Sequence, residues 1–366
     1  MKRNIWVTIA ALVILAIAAF VYFAFLRQRP VLTAVTWSGA YGRAQASALF
    51  IPYEQKTGVD VHIAQYDGGL KELRRTVESK QYGWDIIDLE LPDAIAACHE
   101  GLLEHVDGAS LPPGEDGNSA ASDFVANAIG PCWVGSVVYS QVIAYAPARF
   151  GSAKAISLSD FFDTTRFPGP RAMKSTSAKF NLELALLADG VAPKDVYSVL
   201  STDQGVDRAL KKLDSIRSSI VWWTHSSEPV AMLSDGRAAF ATVLNGDVYE
   251  AALHHRALGV IWDRQLYELD VFGIPRGDPK REMATDFVRF ATSTSSVSSV
   301  ARWVPYGPAR LSAARLGNEN PELKIAMQPF SPTAPGHWRT AFAIDDNWWL
   351  LHGAEIAPRW QSWVNR

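Results

Sequence analysis

After residue 30 the chain alternates short apolar runs with segments whose apolar positions recur at helical spacing. Residues 31–37 read as a strand, and a small-residue loop over 38–44 opens a helix that runs to about residue 57. Residues 59–65 form the next strand, Asp67-Gly68-Gly69 a turn, and 70–79 a helix with Leu70, Leu73 and Val77 on one face. A short buried strand follows at 85–89, where Asp85 and Asp88 flank an apolar pair; one is expected to face a cleft and the other a helix N-terminus. The order βαβαβ predicts a mostly parallel sheet with ligands at the carboxyl ends of its strands.

Farther along, Pro112-Pro113-Gly114 lies in a surface loop over 109–123, and residues 136–145 form a strand that makes the first crossing between two domains. Helices start near 193 and 203, the second behind the capping types Thr202 and Asp203. A strand at 220–223, a loop at 224–229, a helix to about 235 and a strand at 238–244 come next. That strand runs into Asn245-Gly246-Asp247, a turn signature, and Asp270 lies on the return strand. A helix over 279–292 ends in the Ser/Thr-rich run 292–299, a turn-rich loop covers 303–308, and 347–363 is a final amphipathic helix. Its tryptophans, Trp348, Trp349, Trp360 and Trp363, are read as core packing, because large aromatics dominate burial.

The first 30 residues follow another pattern. Met1, Lys2 and Arg3 precede an uncharged run from Ile5 to Leu26, and Arg27 and Arg29 follow it. The run has 22 residues, close to the roughly 20 that span a bilayer as a helix. The pattern signals export, with residues 1–30 a signal peptide or an uncleaved anchor in the inner membrane through 5–26. The anchor is favoured: cleavage after Ala16-Ile17-Ala18 would begin the mature chain near Phe20-Val21-Tyr22-Phe23.

Composition narrows the function class. A chain of 366 residues with 48% hydrophobic and 20% charged content has material for two domains. Its net charge of −3 and lack of a basic stripe argue against nucleic acid as a partner. Cys98 and Cys132, in an exported chain, are expected to form one disulfide, the alternative being two buried thiols. The eight histidines show no metal-ligand spacing, so neither a metal nor another cofactor is expected. Gly-x-Ser-x-Gly is absent, and His225-Ser226-Ser227 reads as a polar loop, which leaves a hydrolase as a minor alternative. The absence of a Tyr-Tyr pair argues against a ferric-iron site.

The chemistry-bearing positions are Asp247 and Asp270, carboxylates placed where the backbone turns at strand ends, which suggests a pocket for a cation. Together with Trp37-Ser38 and Tyr41 after the first strand, His225-Ser226-Ser227 after a tryptophan pair, Asp270-Val271-Phe272-Gly273-Ile274-Pro275 and Tyr306-Gly307-Pro308, they make a chain that resembles the solute-binding proteins of ABC transporters, within them the spermidine/putrescine-binding group. Cys98-His99-Glu100-Gly101 and Pro131-Cys132-Trp133 resemble a branch that carries a cysteine pair. The resemblance implies a type II periplasmic binding protein fold, α/β and two-lobed with hinge-crossing strands, preceded here by one apolar helix. The lobes would be 31–144 plus 268–366 and 145–267.

By the same resemblance, the protein performs no chemistry; it captures a small, polyamine-like organic cation and presents it, as a periplasmic monomer, to ABC permease subunits. Trp37, Ser38, Tyr41, Ser226, Asp247, Asp270 and Tyr306 would bind the ligand, with Glu90 and Asp67 as further cleft residues. An ammonium taken from water needs paired carboxylates, and ring faces add attraction. Leu244 and Gly39 stand where polyamine binders carry an aromatic and an acidic residue, and Phe180 replaces a carboxylate, with Glu183 a turn away. The length and charge of the ligand therefore stay open. A membrane-tethered sensor acting on a signalling partner is the alternative to an importer component.

Overall fold

The computed structural model describes residues 12–17, 20, 29–154, 156–316 and 319–366. Among the described residues ten strands make one mixed sheet: β1 (Val31–Trp37), β2 (Asp60–Tyr66), β3 (Ile86–Glu90), β4 (Val134–Tyr145), β5 (Arg171–Lys174), β6 (Ile220–Trp223), β7 (Phe240–Leu244), β8 (Gly259–Gly273) and the short β9 (Gly307–Pro308) and β10 (Phe342–Ala343). The main path runs β2-β1-β3-β8-β4-β7-β5-β6. The expected parallel βαβαβ unit is there, since β1 pairs in parallel with both β2 and β3. Beyond it the long central strands β4 and β8, 12 and 15 residues, run antiparallel to each other, β8 also to β3 and β4 to β7, while the short β10 joins β8 in parallel. Such long, nearly continuous apolar and β-branched stretches are what a strand covered on both faces requires.

Buried side chains fall into clusters that change over along these two strands. Val134, Val137 and Val138 of β4 and Tyr267, Leu269 and Val271 of β8 pack with β1 and β3, whereas Ile143, Tyr145, Ile261 and Leu266 pack with Phe161, Leu182 and Phe240. A register shift between Gln141 and Ile143 falls at the changeover in β4. A bulge of this kind bends a strand locally.

Helices relevant to the cleft are α1 (Gly39–Gln45), α2 (Leu91–His99), α3 (Asn181–Ala188), α4 (Asn245–Leu253) and α5 (Asp346–Val364). Three expectations differ from the structure. Asn245-Gly246-Asp247 is the first turn of α4, not a free turn. Asn245 explains why: its Oδ1 accepts from the Ser140 amide and its Nδ2 donates to the carbonyls of Pro305 and Phe330, which pins the helix start. The Ser/Thr run does not merely end a helix but forms its own, Thr294–Val300, capped by Ser293. Finally α5, placed by sequence beside β1 and β3, buries Trp348, Ile356, Trp360 and Trp363 with Leu182 and Phe240 in the other cluster. It also passes close to α2.

Cys98 at the end of α2 is disulfide-bonded to Cys132 just before β4, Cα atoms 5.8 Å apart. The apolar run at 5–26 lies largely outside the described residues; of it, 12–17 and 20 are helical. Among the described residues no helix is long and apolar enough to cross a membrane.

Candidate functional site

Strand register builds an acidic row. Glu90 pairs with Asp270 and Asp88 with Phe272 across β3 and β8. Because side chains alternate, Asp88, Glu90, Glu268 and Asp270 project from one face of the sheet. Tyr139 of β4 pairs with Glu268 and stands on the flank of that row.

Helix α1 closes one side. An ideal Cβ at Gly42 would lie 2.2 Å from the Trp37 carbonyl oxygen, so only glycine lets α1 pack this tightly against the end of β1. That packing delivers Tyr41 and Gln45. Gln45 Nε2 donates to Asp88 Oδ2 (2.5 Å) and to the Tyr41 hydroxyl (3.0 Å), while Thr36 Oγ1 donates to Gln45 Oε1. The Tyr66 hydroxyl donates to the Asp88 carbonyl (2.6 Å), and the Tyr66 ring packs on Trp37, 5.0 Å between centroids.

Asp88 and Asp270 are both buried. Burial pushes the Asp88 carboxyl up to about 7, against hydrogen bonds from Gln45 and Tyr41 that lower it. Burial also raises Asp270 well above the ordinary carboxylate range, and Asp88, Glu90 and Glu268 raise it further. No basic side chain pairs with Asp270 among the described residues; the charges acting on it are all carboxylates. Asp85 behaves differently, as the alternation of a strand demands: it accepts from the Thr33 amide (2.6 Å) and from Lys280 Nζ (3.0 Å) at the entrance to the helix Arg281–Ala291.

At the far end of the row, Lys179 Nζ donates to Glu268 and to Asp346 Oδ1 (2.6 Å), tying the approach to α3, the strand β8 and the start of α5 together. Burial disfavours the charge on Lys179, but Glu268 and Asp346 outweigh it and hold the ammonium above the usual lysine range. Glu183, fully buried on α3, accepts from Trp349 Nε1 (2.5 Å) and the Tyr197 hydroxyl (3.1 Å); burial raises it to about 7.

Of the residues singled out by sequence, Tyr41, Asp270, Glu90 and Tyr306 meet around one space. Tyr306 packs edge-on to Tyr41 at 5.4 Å, feels both Asp270 and Asp247, and its ring would lie 3.6 Å from a Cβ at Gly246. It therefore spans from the acidic row to α4. Trp37 is half-buried beside Tyr66, its Nε1 without a partner. Ser38 precedes α1, exposed and without a capping hydrogen bond, and Asp67 is exposed on the loop after β2. Ser226, on an exposed loop, and Asp247 line a separate small cavity of about 160 Å³ with Glu250, His254 and Arg256. Burial raises Asp247 to about 6.

Sequence reading left Asp88 undecided and passed over Gln45, Tyr66, Tyr139, Lys179, Glu268 and Asp346. A signal existed for two of them: Asp88-Leu89-Glu90 and Glu268-Leu269-Asp270 are matching acidic alternations that strand pairing sets side by side. Among the described residues no group of three or more His, Cys, Asp or Glu is set to hold a metal ion.

Comparison with known proteins agrees with this architecture. Residues 48–327 match the bacterial extracellular solute-binding protein family. The chain is 32% identical over 335 residues to the gamma-aminobutyric acid-binding protein of Pseudomonas aeruginosa, covering 92% of this chain and 91% of that one. Among solved structures, the Atu4243–GABA receptor superposes with a TM-score of 0.71 at 28% identity, covering 92% of this chain and 98% of that one. An ABC transporter substrate-binding protein from Bradyrhizobium japonicum gives 0.74, also at 28%, covering 92% and 99%. These relatives are solute-binding proteins and not enzymes, and their class is exported to the periplasm and docks on ABC permeases. The chain belongs to the bacterial extracellular solute-binding protein family, as the substrate-binding component of an ABC transporter.

Proposed function

We propose that this protein captures a small ligand bearing an ammonium group, the ammonium seated against Asp270 and Asp88 and ringed by Tyr41, Tyr66, Tyr139 and Tyr306. One observation carries the reading: Asp270 is a buried carboxylate whose electrostatic neighbours are other carboxylates. Such a group is expensive in an empty site and cheap once a cation pairs with it. Aromatic rings around an ammonium contribute about 0.5–2 kcal/mol each. The relative named for gamma-aminobutyric acid, itself an amine, supports an ammonium-bearing ligand and makes that compound the first to test.

In this reading residues 31–144 with 268–341 form one lobe and 145–267 with 342–364 the other, and they close about β4 and β8, the strands along which the buried clusters change over. Closure of that kind couples ligand capture to permease docking.

A thermal-shift series tests the ligand class. Gamma-aminobutyric acid, butylamine, putrescine and spermidine are compared with butyrate, which lacks the ammonium. A saturating ligand at 100 times its Kd stabilises by about 2.7 kcal/mol, so at least one ammonium compound should raise the midpoint while butyrate does not. A shift with butyrate alone would contradict the reading.

A further inference from the structure

The acidic row has two unlike ends. Asp270 has no cation beside it, whereas Glu268, two residues along β8 and so roughly 7 Å away, already holds the Lys179 ammonium together with Asp346. Lys179 is also the basic group whose charge acts on Glu90. Its side chain is 20% exposed, so it borders open space and is not sealed in a core. The next residue, Phe180, is held at φ 71°, a left-handed conformation that a phenylalanine avoids, and its ring lies 5.5 Å from Lys179 Nζ. The chain thus accepts backbone strain at the point where it aims this ammonium into the carboxylates.

We infer that Lys179 fixes the charge of the ligand: it occupies the place a second ligand ammonium would need, so the site takes compounds with one cationic end and refuses diamines and polyamines. The inference rests on the proposed pairing of Asp270 with an ammonium. A diamine seated with one end on Asp270 would bring its other end beside Glu268, next to a like charge that cannot leave its two carboxylates. Lys179 has three N–H donors and uses two. The third is available to an acceptor at the far end of the ligand, which an ω-amino acid supplies as its carboxylate. The polyamine-like ligand implied by sequence resemblance is replaced, on this view, by a monoammonium compound, because the protein provides the second ammonium itself.

Calorimetry of gamma-aminobutyric acid, butylamine and putrescine against the wild type, Lys179→Gln, Lys179→Arg and Asp270→Asn tests this. Wild type should bind gamma-aminobutyric acid or butylamine at least tenfold more tightly than putrescine. Lys179→Gln should narrow or reverse that ratio by at least tenfold, and Lys179→Arg should keep it. Putrescine binding to wild type as tightly as the monoamines overturns the inference without any variant. So does an unchanged ratio in folded Lys179→Gln, and if Asp270→Asn then still abolishes monoamine binding, the ammonium site itself stands. Monoamine binding that survives Asp270→Asn overturns both.

Discussion

Asp270 on β8 sits directly across from Glu90 on β3 and one diagonal from Asp88, so two carboxylates buried in the sheet and one open to the cleft share a single face. Diagonal neighbours in a sheet are roughly 7–8 Å apart, within range to raise one another in a dry site. Two short acidic alternations in the sequence become one acidic surface only because β3 and β8 pair in this register. Slipping either strand by one residue would turn its carboxylates to the other face.

Replacing Asp270 should separate stability from binding. Asp270→Asn removes a buried carboxyl that has no cation to pair with when ionised, so the unliganded protein should gain about 1 kcal/mol or more. The same variant should lose ligand binding. Paired thermal denaturation with and without ligand checks this: a rise in the unliganded midpoint and loss of the ligand-induced shift are expected together.

Stability of the unliganded protein should fall as pH rises. Asp88 carries a folded value of about 7 against an ordinary 3.8, and Glu183 is raised to about 7. Between about pH 4 and pH 7 the folded state then binds more protons than the unfolded one. Stability declines with pH across that window, by up to about 1.4 kcal/mol per pH unit for each such group. Affinity for an ammonium should move the opposite way, rising as Asp88 and Asp270 lose their protons. Denaturant melts across this window, repeated on Asp88→Asn, check the sign; the variant should show a shallower decline.

Gly42→Ala should damage the site without touching the ligand. Its methyl would meet the Trp37 carbonyl oxygen at 2.2 Å and push α1 outward, carrying Tyr41 and Gln45 away from Asp88. A loss of about 1–3 kcal/mol of stability is expected from overpacking, with weaker ligand binding. Chemical denaturation and titration of the same sample give both numbers.

Reduction should loosen the lobe that carries Asp88. The Cys98–Cys132 bond closes a loop across a sequence separation of 34, worth about 3–4 kcal/mol in the chain-entropy account. Denaturant midpoints with and without reductant, with thiol counting by alkylation and mass spectrometry, check the size.

Much of the fold was legible. Period-two and helical spacings locate β1 to β3, the strand β6 and the helices around 203–214 and 281–291 within a few residues. The candidate site was legible where residue type and local context coincide, as for Asp270 before its apolar run or Tyr41 behind the small-residue loop. It was not legible where the partner is distant in sequence. Lys179 meets Glu268 and Asp346 across 89 and 167 residues, and nothing local to Ser177-Ala178-Lys179 hints at it. Asn245-Gly246-Asp247 misleads for the same reason, since the bonds that make it a helix start come from Ser140, Pro305 and Phe330. The tryptophans of α5 are recognisable as core residues, but periodicity cannot say which core they fill.

Titration calorimetry of gamma-aminobutyric acid and butylamine into wild type and Asp270→Asn bears most directly on the ammonium site. Neutralising one partner of a buried charge pair costs about 2–5 kcal/mol of binding, so the variant should bind at least thirtyfold more weakly or show no heat. Equal affinity in the two proteins would contradict the assignment of Asp270 as the group that holds the ligand.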